Sequence, residues 1–136
     1  MIIYHREGYV LLDYAGDSLR DADLRGLDLR EANFEGADLY RANLSGCDLR
    51  GATFKGAFLH GAYFDGADLR HADLRDTNSC NTDFHGADLR GAKFDGAYMQ
   101  CAHLWQAKVD GASFAGATGT VHRVEVPGSW GTVEPI

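Results

Sequence analysis

Histidine and cysteine are the side chains of this 136-residue sequence with the clearest capacity for chemistry. His60 and Cys80 are 20 residues apart, and Cys101 follows one residue after the next such interval. Imidazole and thiolate are preferred zinc ligands, so the three would bind metal if the fold brought them together. A structural zinc site needs four ligands, and a fourth is missing here. We therefore expect no metal site.

A second polar group contains Asp83, His85 and His103. Its simplest interpretation is a surface hydrogen bond or ion pair, with His103 next to Asp83 one interval of 20 residues away. Such a pair contributes under about 1 kcal/mol when it is exposed. We interpret this group as structural and not as a catalytic site.

A repeat of five residues positions all of these side chains. From Asp17 to Gly116, twenty consecutive pentads keep one register, close to Ala-Asp-Leu-Arg-Gly. The central residue is nearly always Leu or Phe, and a small residue, usually Ala, stands two positions earlier. A helix at about 100° per residue would spread these apolar positions around its whole surface. A continuous strand would turn successive pentads to opposite sides, because five is odd.

A short extended segment that ends in a corner removes this conflict. Within each segment the Ala and the Leu point inward, and the residue between them points outward. The last residue of the pentad, often a glycine such as Gly26, lies at the corner. Glycine adopts unusual backbone angles at the least cost, so its position predicts where the chain bends.

Columns of similar residues recur every 20 residues, which indicates four pentads per coil. Asp-Leu-Arg has this period on a wall that we call the Asp-Arg face: Asp28–Arg30, Asp48–Arg50, Asp68–Arg70 and Asp88–Arg90. A second column consists of phenylalanines with Leu74 as its exception: Phe34, Phe54, Phe94 and Phe114. Each Asp of the Asp-Arg face has an Arg two residues along, so we expect a solvated surface whose charges compensate each other.

The A(D/N)LXX run resembles the pentapeptide-repeat proteins over roughly three quarters of the chain. The resemblance implies an all-β fold, a right-handed quadrilateral β-helix with four pentads per coil. Twenty pentads then give five coils, a stack about 24 Å tall at the usual strand spacing. Solenoids of this kind are stabilised by contacts between neighbouring coils, so their ends need caps.

We expect three parts in the chain. Residues 1–16 are predicted to form an N-terminal β-hairpin cap that turns at Arg6-Glu7-Gly8. Residues 17–118 are predicted to form the β-helix. Residues 119–136 are predicted to form a C-terminal strand cap, with a strand over 121–126, followed by a tail.

Two features bear on location and redox state. No run of 18 apolar residues exists, and charged residues interrupt the start of the chain, so we expect a cytoplasmic protein without a membrane span. The three cysteines provide no disulfide framework. Cys47 occupies an inward Ala position, whereas Cys80 and Cys101 lie outside, in columns that are offset by one residue.

We expect no enzymatic activity and no cofactor. The sequence has no Walker loop, no GxSxG or HExxH motif and no Ser-His-Asp order. A convex prism is also expected to lack the concave pocket that small-molecule sites usually need.

One wall combines aromatic residues with little charge, and we call it the aromatic face. Its pentads are centred on Leu39, Leu59, Ser79 and Met99, and its outward residues include Tyr40, Phe58, His60, Cys80, Tyr98 and Gln100. Tyr63 and Trp105 continue the aromatic content on the adjacent wall. Exposed aromatics on a rigid wall are typical of protein-binding surfaces, although Phe58 and Tyr98 could instead only shield the backbone. We predict a module that binds a partner protein or a second copy of itself.

The family resemblance implies an alternative function. Several pentapeptide-repeat proteins mimic B-form DNA and bind type II topoisomerases such as gyrase. Residues 17–116 hold 16 Asp or Glu and 11 Lys or Arg, a net charge of −5. Duplex DNA of about 24 Å would carry roughly 14 negative charges. Because no wall is strongly acidic and no loop interrupts the coils, we favour protein binding over DNA mimicry, with no direct binding to nucleic acid.

The pentad Thr77-Asn78-Ser79-Cys80-Asn81 is the one break in the pattern, because Ser79 replaces the central apolar residue. Either the pentad stays in register, with its hydroxyls hydrogen-bonded to the backbone, or it bulges outward as a small loop. A buried Ser without a partner would cost roughly 1–3 kcal/mol. We favour the arrangement in register.

Overall fold

The computed structural model describes residues 1–121 of the chain. Two strands, β1 (Ile2–Tyr4) and β2 (Val10–Asp13), pair as an antiparallel hairpin. The rest of the described chain forms single-residue parallel bridges between positions 20 apart, from Asp23 with Asn43 to Tyr98 with Thr118. Four such ladders, one per wall, confirm the predicted right-handed quadrilateral β-helix.

Backbone angles at the corners explain the five-residue period. Every fifth residue from Asp21 to Gly116 has a φ between +54° and +74°. Glycine fills most of these positions, as predicted, but eight are occupied by other residues, among them His71 and Cys101 at +60°. An L-residue in this left-handed region is strained by roughly 1–2 kcal/mol. The N–H of a corner residue donates to a carbonyl of the next coil, as in His71 to Arg90 O at 3.1 Å and Cys101 to Thr120 O at 2.8 Å, and this bond helps to hold the corner.

The core is a narrow column along the axis. The central residues of the pentads from Leu19 to Leu104 are at most 2% exposed. Six phenylalanine rings pack in one continuous series, with neighbouring centroids 4.9–5.5 Å apart: Phe34, Phe54, Phe64, Phe84, Phe94 and Phe114. The series crosses to the opposite wall where Leu74 interrupts the column, with edge-to-face contacts at both crossings.

The Ser79 pentad stays in register, as favoured, and no bulge forms. Ser79 is fully buried, and its backbone N–H donates to Tyr98 O at 2.7 Å. Thr77 Oγ1 donates to Leu74 O at 2.9 Å, so its lone pair accepts from Ser79 Oγ, 2.8 Å away. The larger Thr and the smaller Ser together replace the usual Ala and Leu without leaving a hydroxyl unpaired.

The hairpin packs against one wall of the first coil. Ile3 enters the core at 2% exposure, and His5 forms an antiparallel bridge with Ala32. The Asn33 N–H donates to Tyr4 O at 2.8 Å, and the Arg6 N–H donates to Glu31 O at 2.9 Å, so the hairpin covers the edge of the first coil on this wall. The predicted C-terminal strand over 121–126 lies outside the described residues, apart from Val121.

Candidate protein-binding face

The aromatic face is a flat ladder in which residues 20 apart are neighbours. Phe58 pairs with Asn78, and Asn78 pairs with Tyr98. Phe58 is 55% exposed and Tyr98 is 46% exposed. Two strand spacings therefore separate the aromatic residues by about 10 Å, with the Asn78 amide between them. The partly exposed His60, Cys80 and Gln100 form the neighbouring column.

A hydrogen bond at the outward position explains the usual Asp or Asn of each pentad. Its side-chain oxygen accepts from the backbone N–H two residues later, as in Asn33 to Glu35 at 3.0 Å and Asp83 to His85 at 2.9 Å. Such a bond fixes the turn into the corner. Phe58, Tyr63 and Tyr98 occupy the same position without an oxygen that could replace it.

The lower end of the aromatic face is charged. The Arg20 guanidinium lies 4.5 Å above the centre of the Tyr40 ring, and its Nη1 donates to Asp38 at 3.0 Å. The other side of the Tyr40 ring approaches His60, with the ring centroids 5.5 Å apart. Tyr40 is consequently only partly exposed, and the open apolar surface begins at Phe58. The 20-residue period makes Arg20 a neighbour of Tyr40, but it does not determine the rotamer that places the guanidinium over the ring.

Tyr63 and Trp105 lie around the corner on the adjacent wall. They are 43% and 41% exposed. Tyr63 has Asn43 and Asp83 as ladder neighbours, so its surroundings are polar. The Trp105 ring packs against His85, with centroids 5.9 Å apart. The structure thus groups Phe58, His60, Cys80, Tyr98 and Gln100 on one plane and places Tyr63 and Trp105 on another.

The three cysteines have different surroundings. The Cys47 thiol is buried and donates to Leu24 O at 2.9 Å, and its burial raises its pKa. Burial and the nearby Cys101 raise the pKa of Cys80. Among residues 1–121, no three His, Cys, Asp or Glu side chains come together as metal ligands would.

The Asp-Arg face is a ladder of alternating charges, as predicted. Within each pentad the Arg holds its Asp through two hydrogen bonds, for example Arg50 Nε and Nη2 to Asp48 at 2.9 and 2.6 Å. The Arg50 Nε also lies 3.7 Å from Asp68 in the next coil. The Arg hydrogen bonds lower the pKa of the carboxyl groups, as for Asp48 and Asp68. The acidic side chains of this wall therefore have little free negative charge.

Two surface features escaped sequence reasoning. The outer side of the hairpin exposes 43–55% of each of four apolar or aromatic residues: Ile2, Tyr4, Tyr9 and Val10. The expectation of no concave pocket was wrong, because a groove of about 730 Å³ lies between the hairpin and the Asp-Arg face, lined in part by Tyr9, Arg30 and His71. The groove exists because the hairpin projects past the wall. In β1 the side chains alternate between the two sides of the strand, so Ile2 and Tyr4 point outward while Ile3 points into the core. This alternation is the sequence signal for the exposed apolar surface.

The geometry defines a repeat protein of the quadrilateral β-helix class. The family model for pentapeptide repeats matches residues 18–56, 42–78 and 62–100, in eight copies. The chain therefore belongs to the pentapeptide-repeat family. No curated protein sequence matches it. None of residues 1–121 forms a helix with the length and apolar character that crossing a membrane requires.

Solved structures of other pentapeptide-repeat proteins are similar to this one. A protein of the Arabidopsis thaliana thylakoid lumen is 34% identical, with a TM-score of 0.59 over 76% of this chain and 70% of that one. Rfr23 of the cyanobacterium Cyanothece 51142 is 25% identical, with a TM-score of 0.50 over 70% of this chain and 82% of that one. QnrB1, a plasmid-mediated fluoroquinolone resistance protein, is 23% identical, with a TM-score of 0.52 over 72% of this chain and 62% of that one, a likeness of fold.

Proposed function

We propose that this chain is a non-enzymatic module that binds a partner protein through the aromatic face, with Phe58 and Tyr98 at the centre of the contact. One observation carries the proposal. Both aromatics stand at positions where an Asp or Asn would accept a backbone hydrogen bond, and both expose about half of their side chain. An Asn at this position accepts that bond, as Asn78 does between them, with its Oδ1 at 3.2 Å from the Cys80 nitrogen.

Shielding of the backbone explains these residues less well. The Phe58 N–H donates to Ala37 O, and the Phe58 carbonyl accepts from Leu39, so the backbone is already paired on both sides. Tyr98 is paired in the same way, with its N–H on Thr77 O and its carbonyl accepting from Ser79. Two half-exposed rings with no structural task in their ladder are a typical protein-binding surface.

The rigidity of the wall favours binding. A partner would meet side chains on a backbone that is hydrogen-bonded above and below, so little conformational entropy is lost on association. The chemistry of the surface also indicates a protein partner. Phe58 provides apolar area, whereas Tyr98, His60 and Gln100 surround it with hydrogen-bonding groups, the mixture that is enriched in protein interfaces. The expected cytoplasmic location stays a prediction.

DNA mimicry toward a type II topoisomerase such as gyrase is the alternative. The fold that the chain shares with QnrB1 keeps this alternative open. The charges support it less, because the carboxylates of the Asp-Arg face are each held by a guanidinium at 2.6–2.7 Å. A DNA mimic needs unpaired negative charge in regular order.

Photo-cross-linking in cells tests the proposal. A photoreactive phenylalanine analogue is placed at position 58 or 98 and, as a matched control, at position 4, since Tyr4 is an equally exposed aromatic of the hairpin. We expect one defined protein adduct from positions 58 and 98 and none from position 4. The double variant Phe58→Asn/Tyr98→Asn should lose affinity for the purified partner by at least tenfold. Adducts of equal yield from all three positions, or none from positions 58 and 98, would refute the proposal.

Two further measurements separate the alternatives. Sedimentation velocity of the wild type and of the double variant detects self-association, and a dimer that the double variant loses would identify a second copy as the partner. A gyrase supercoiling assay with increasing protein tests DNA mimicry. Inhibition that survives in the double variant would make topoisomerase binding the leading function and would remove the aromatic face from it.

A further inference from the structure

We propose that Cys80 and Cys101 form a modification site, at which a small-molecule disulfide such as oxidised glutathione converts the two thiols into an intrachain disulfide. The bond would join the fourth and fifth coils at the edge of the aromatic face. Neither the fold nor the proposed protein binding requires the thiol groups of these two cysteines.

The register of the ladder brings the two cysteines together. Asn78 pairs with Tyr98, and the Asn81 N–H donates to Gln100 O at 2.9 Å. Cys80 therefore lies directly opposite Gln100, and Cys101 is one residue further along. A strand spacing of about 4.8 Å and a chain step of about 3.8 Å give a diagonal Cα separation of about 6 Å. This value falls within the range that disulfides span.

The thiols themselves are partly accessible. Both cysteines are partly exposed, in contrast to the buried Cys47. The Asn81 side-chain amide lies 3.5 Å from the Cys80 sulfur, and the Gln100 amide lies 3.7 Å from the Cys101 sulfur, so each thiol lies beside an amide of the neighbouring residue. Cys101 contributes to the raised pKa of Cys80, which indicates that two thiolates there would repel each other. Formation of the disulfide removes both negative charges.

The reaction balances with one oxidant molecule. One cysteine thiolate attacks a sulfur of glutathione disulfide, which breaks its S–S bond and releases one glutathione thiolate. The second cysteine thiolate then attacks the protein sulfur of the mixed disulfide, which releases the second glutathione. The cysteine pair loses two electrons and two protons, and one glutathione disulfide becomes two glutathione molecules.

Peptide mapping tests the site directly. The full-length protein is incubated with oxidised glutathione, its free thiols are blocked with N-ethylmaleimide in denaturant, and it is cleaved with trypsin without reduction. We expect one cross-linked species that joins residues 76–90 to residues 94–108, and a Cys47 that carries N-ethylmaleimide in the peptide 42–50, which marks it as a thiol that was not oxidised. Because thiolate is the reactive form and the pKa of Cys80 is raised, the rate should increase about tenfold from pH 7 to pH 8.

Single substitutions provide the controls. Cys80→Ser and Cys101→Ser should each carry one glutathione at the remaining exposed cysteine, whereas Cys47→Ala should still form the cross-link. Four results would overturn the proposal. These are stable glutathione adducts on both cysteines of the wild type, a disulfide between two chains, unreacted thiols in the folded protein, and a cross-link that forms only after unfolding in urea.

Discussion

Phe58 and Asn78 are ladder neighbours on one wall, and only the Asn78 amide oxygen accepts a hydrogen bond from the backbone two residues later, 3.2 Å from the Cys80 nitrogen. The same backbone geometry thus carries Asn78, whose side chain accepts a backbone hydrogen bond, and one coil below it Phe58, whose side chain accepts none. This contrast makes it possible to remove the aromatic ring by a substitution that the ladder accommodates.

Phe58→Asn should leave the free energy of unfolding within about 1 kcal/mol of wild type. The variant gains a hydrogen bond to the His60 N–H, worth about 1 kcal/mol. This gain offsets the apolar area that the half-exposed ring loses. Asn78→Ala is the matched control and should cost about 1 kcal/mol, because it removes the existing bond. Urea denaturation measures both, and a loss above 2 kcal/mol in Phe58→Asn would mean that the ring is mainly structural.

Thr77→Ala should destabilise the chain by about 2–3 kcal/mol. It leaves the buried Ser79 hydroxyl without the acceptor that lies 2.8 Å away. The double variant Thr77→Ala/Ser79→Leu should recover wild-type stability or exceed it, because Leu then continues the column between Leu59 and Met99. Thermal unfolding of the single and double variants gives the coupling between the two positions. Additive effects would contradict the hydrogen-bonded pair.

Gly119→Ala should open the last described part of the solenoid. Its added Cβ would lie 2.5 Å from the Gln100 nitrogen, and the φ of Gly119 is +95°. The amides of Met99 and Cys101 donate to Thr118 O and Thr120 O, so their hydrogen exchange should accelerate at least tenfold.

Gly66→Ala is the control for this effect. Gly66 has a φ of +67°, but nothing lies within 4 Å of its added Cβ. The backbone strain alone should lower the stability of the whole chain by about 1 kcal/mol. The exchange of Met99 and Cys101 should then accelerate no more than that of other core amides.

Asp88→Asn should reduce stability at neutral pH and lose this effect in acid. The Arg90 hydrogen bond lowers the pKa of Asp88 in the folded chain, whereas an unfolded Asp has a pKa of about 3.9. The pair therefore stabilises the fold fully above that value, and its contribution disappears as the pH falls through the lower folded pKa. We expect a difference of about 1 kcal/mol at pH 7 that shrinks between pH 5 and pH 2. Asn keeps the bond to the Arg90 N–H, so a difference that is independent of pH would exclude the charge as its cause.

The repeat made most of the fold predictable. A period of five with an inward Ala and Leu permits few backbone geometries, and the recurrence of Asp28, Asp48 and Asp68 sets the length of a coil. A partner for the buried Ser79 hydroxyl was also predictable, but that partner is the Thr77 side chain, whereas the backbone was expected.

Contacts between side chains of different coils were less predictable. The position of Arg20 over Tyr40 depends on the rotamer of a long exposed side chain, which no periodicity determines. The groove beside the hairpin depends on how far Tyr9 and Leu11 project past the first coils, and the repeat pattern does not extend to them. The identity of a partner depends on the surface of the partner as well. The sequence of this chain therefore predicts only which of its own residues the partner would contact.

Because ladder neighbours are 20 residues apart, the distance between two side chains of the aromatic face is set by the number of coils between them. Insertion of one whole coil between Phe58 and Tyr98 would move the two side chains apart by one strand spacing, about 4.8 Å, without rotating either of them. Deletion of a coil would bring them closer by the same step. A partner that contacts both residues at once therefore requires one particular number of coils between them. Gain or loss of whole coils changes the distance between the two side chains in fixed steps and leaves the direction in which they point unchanged.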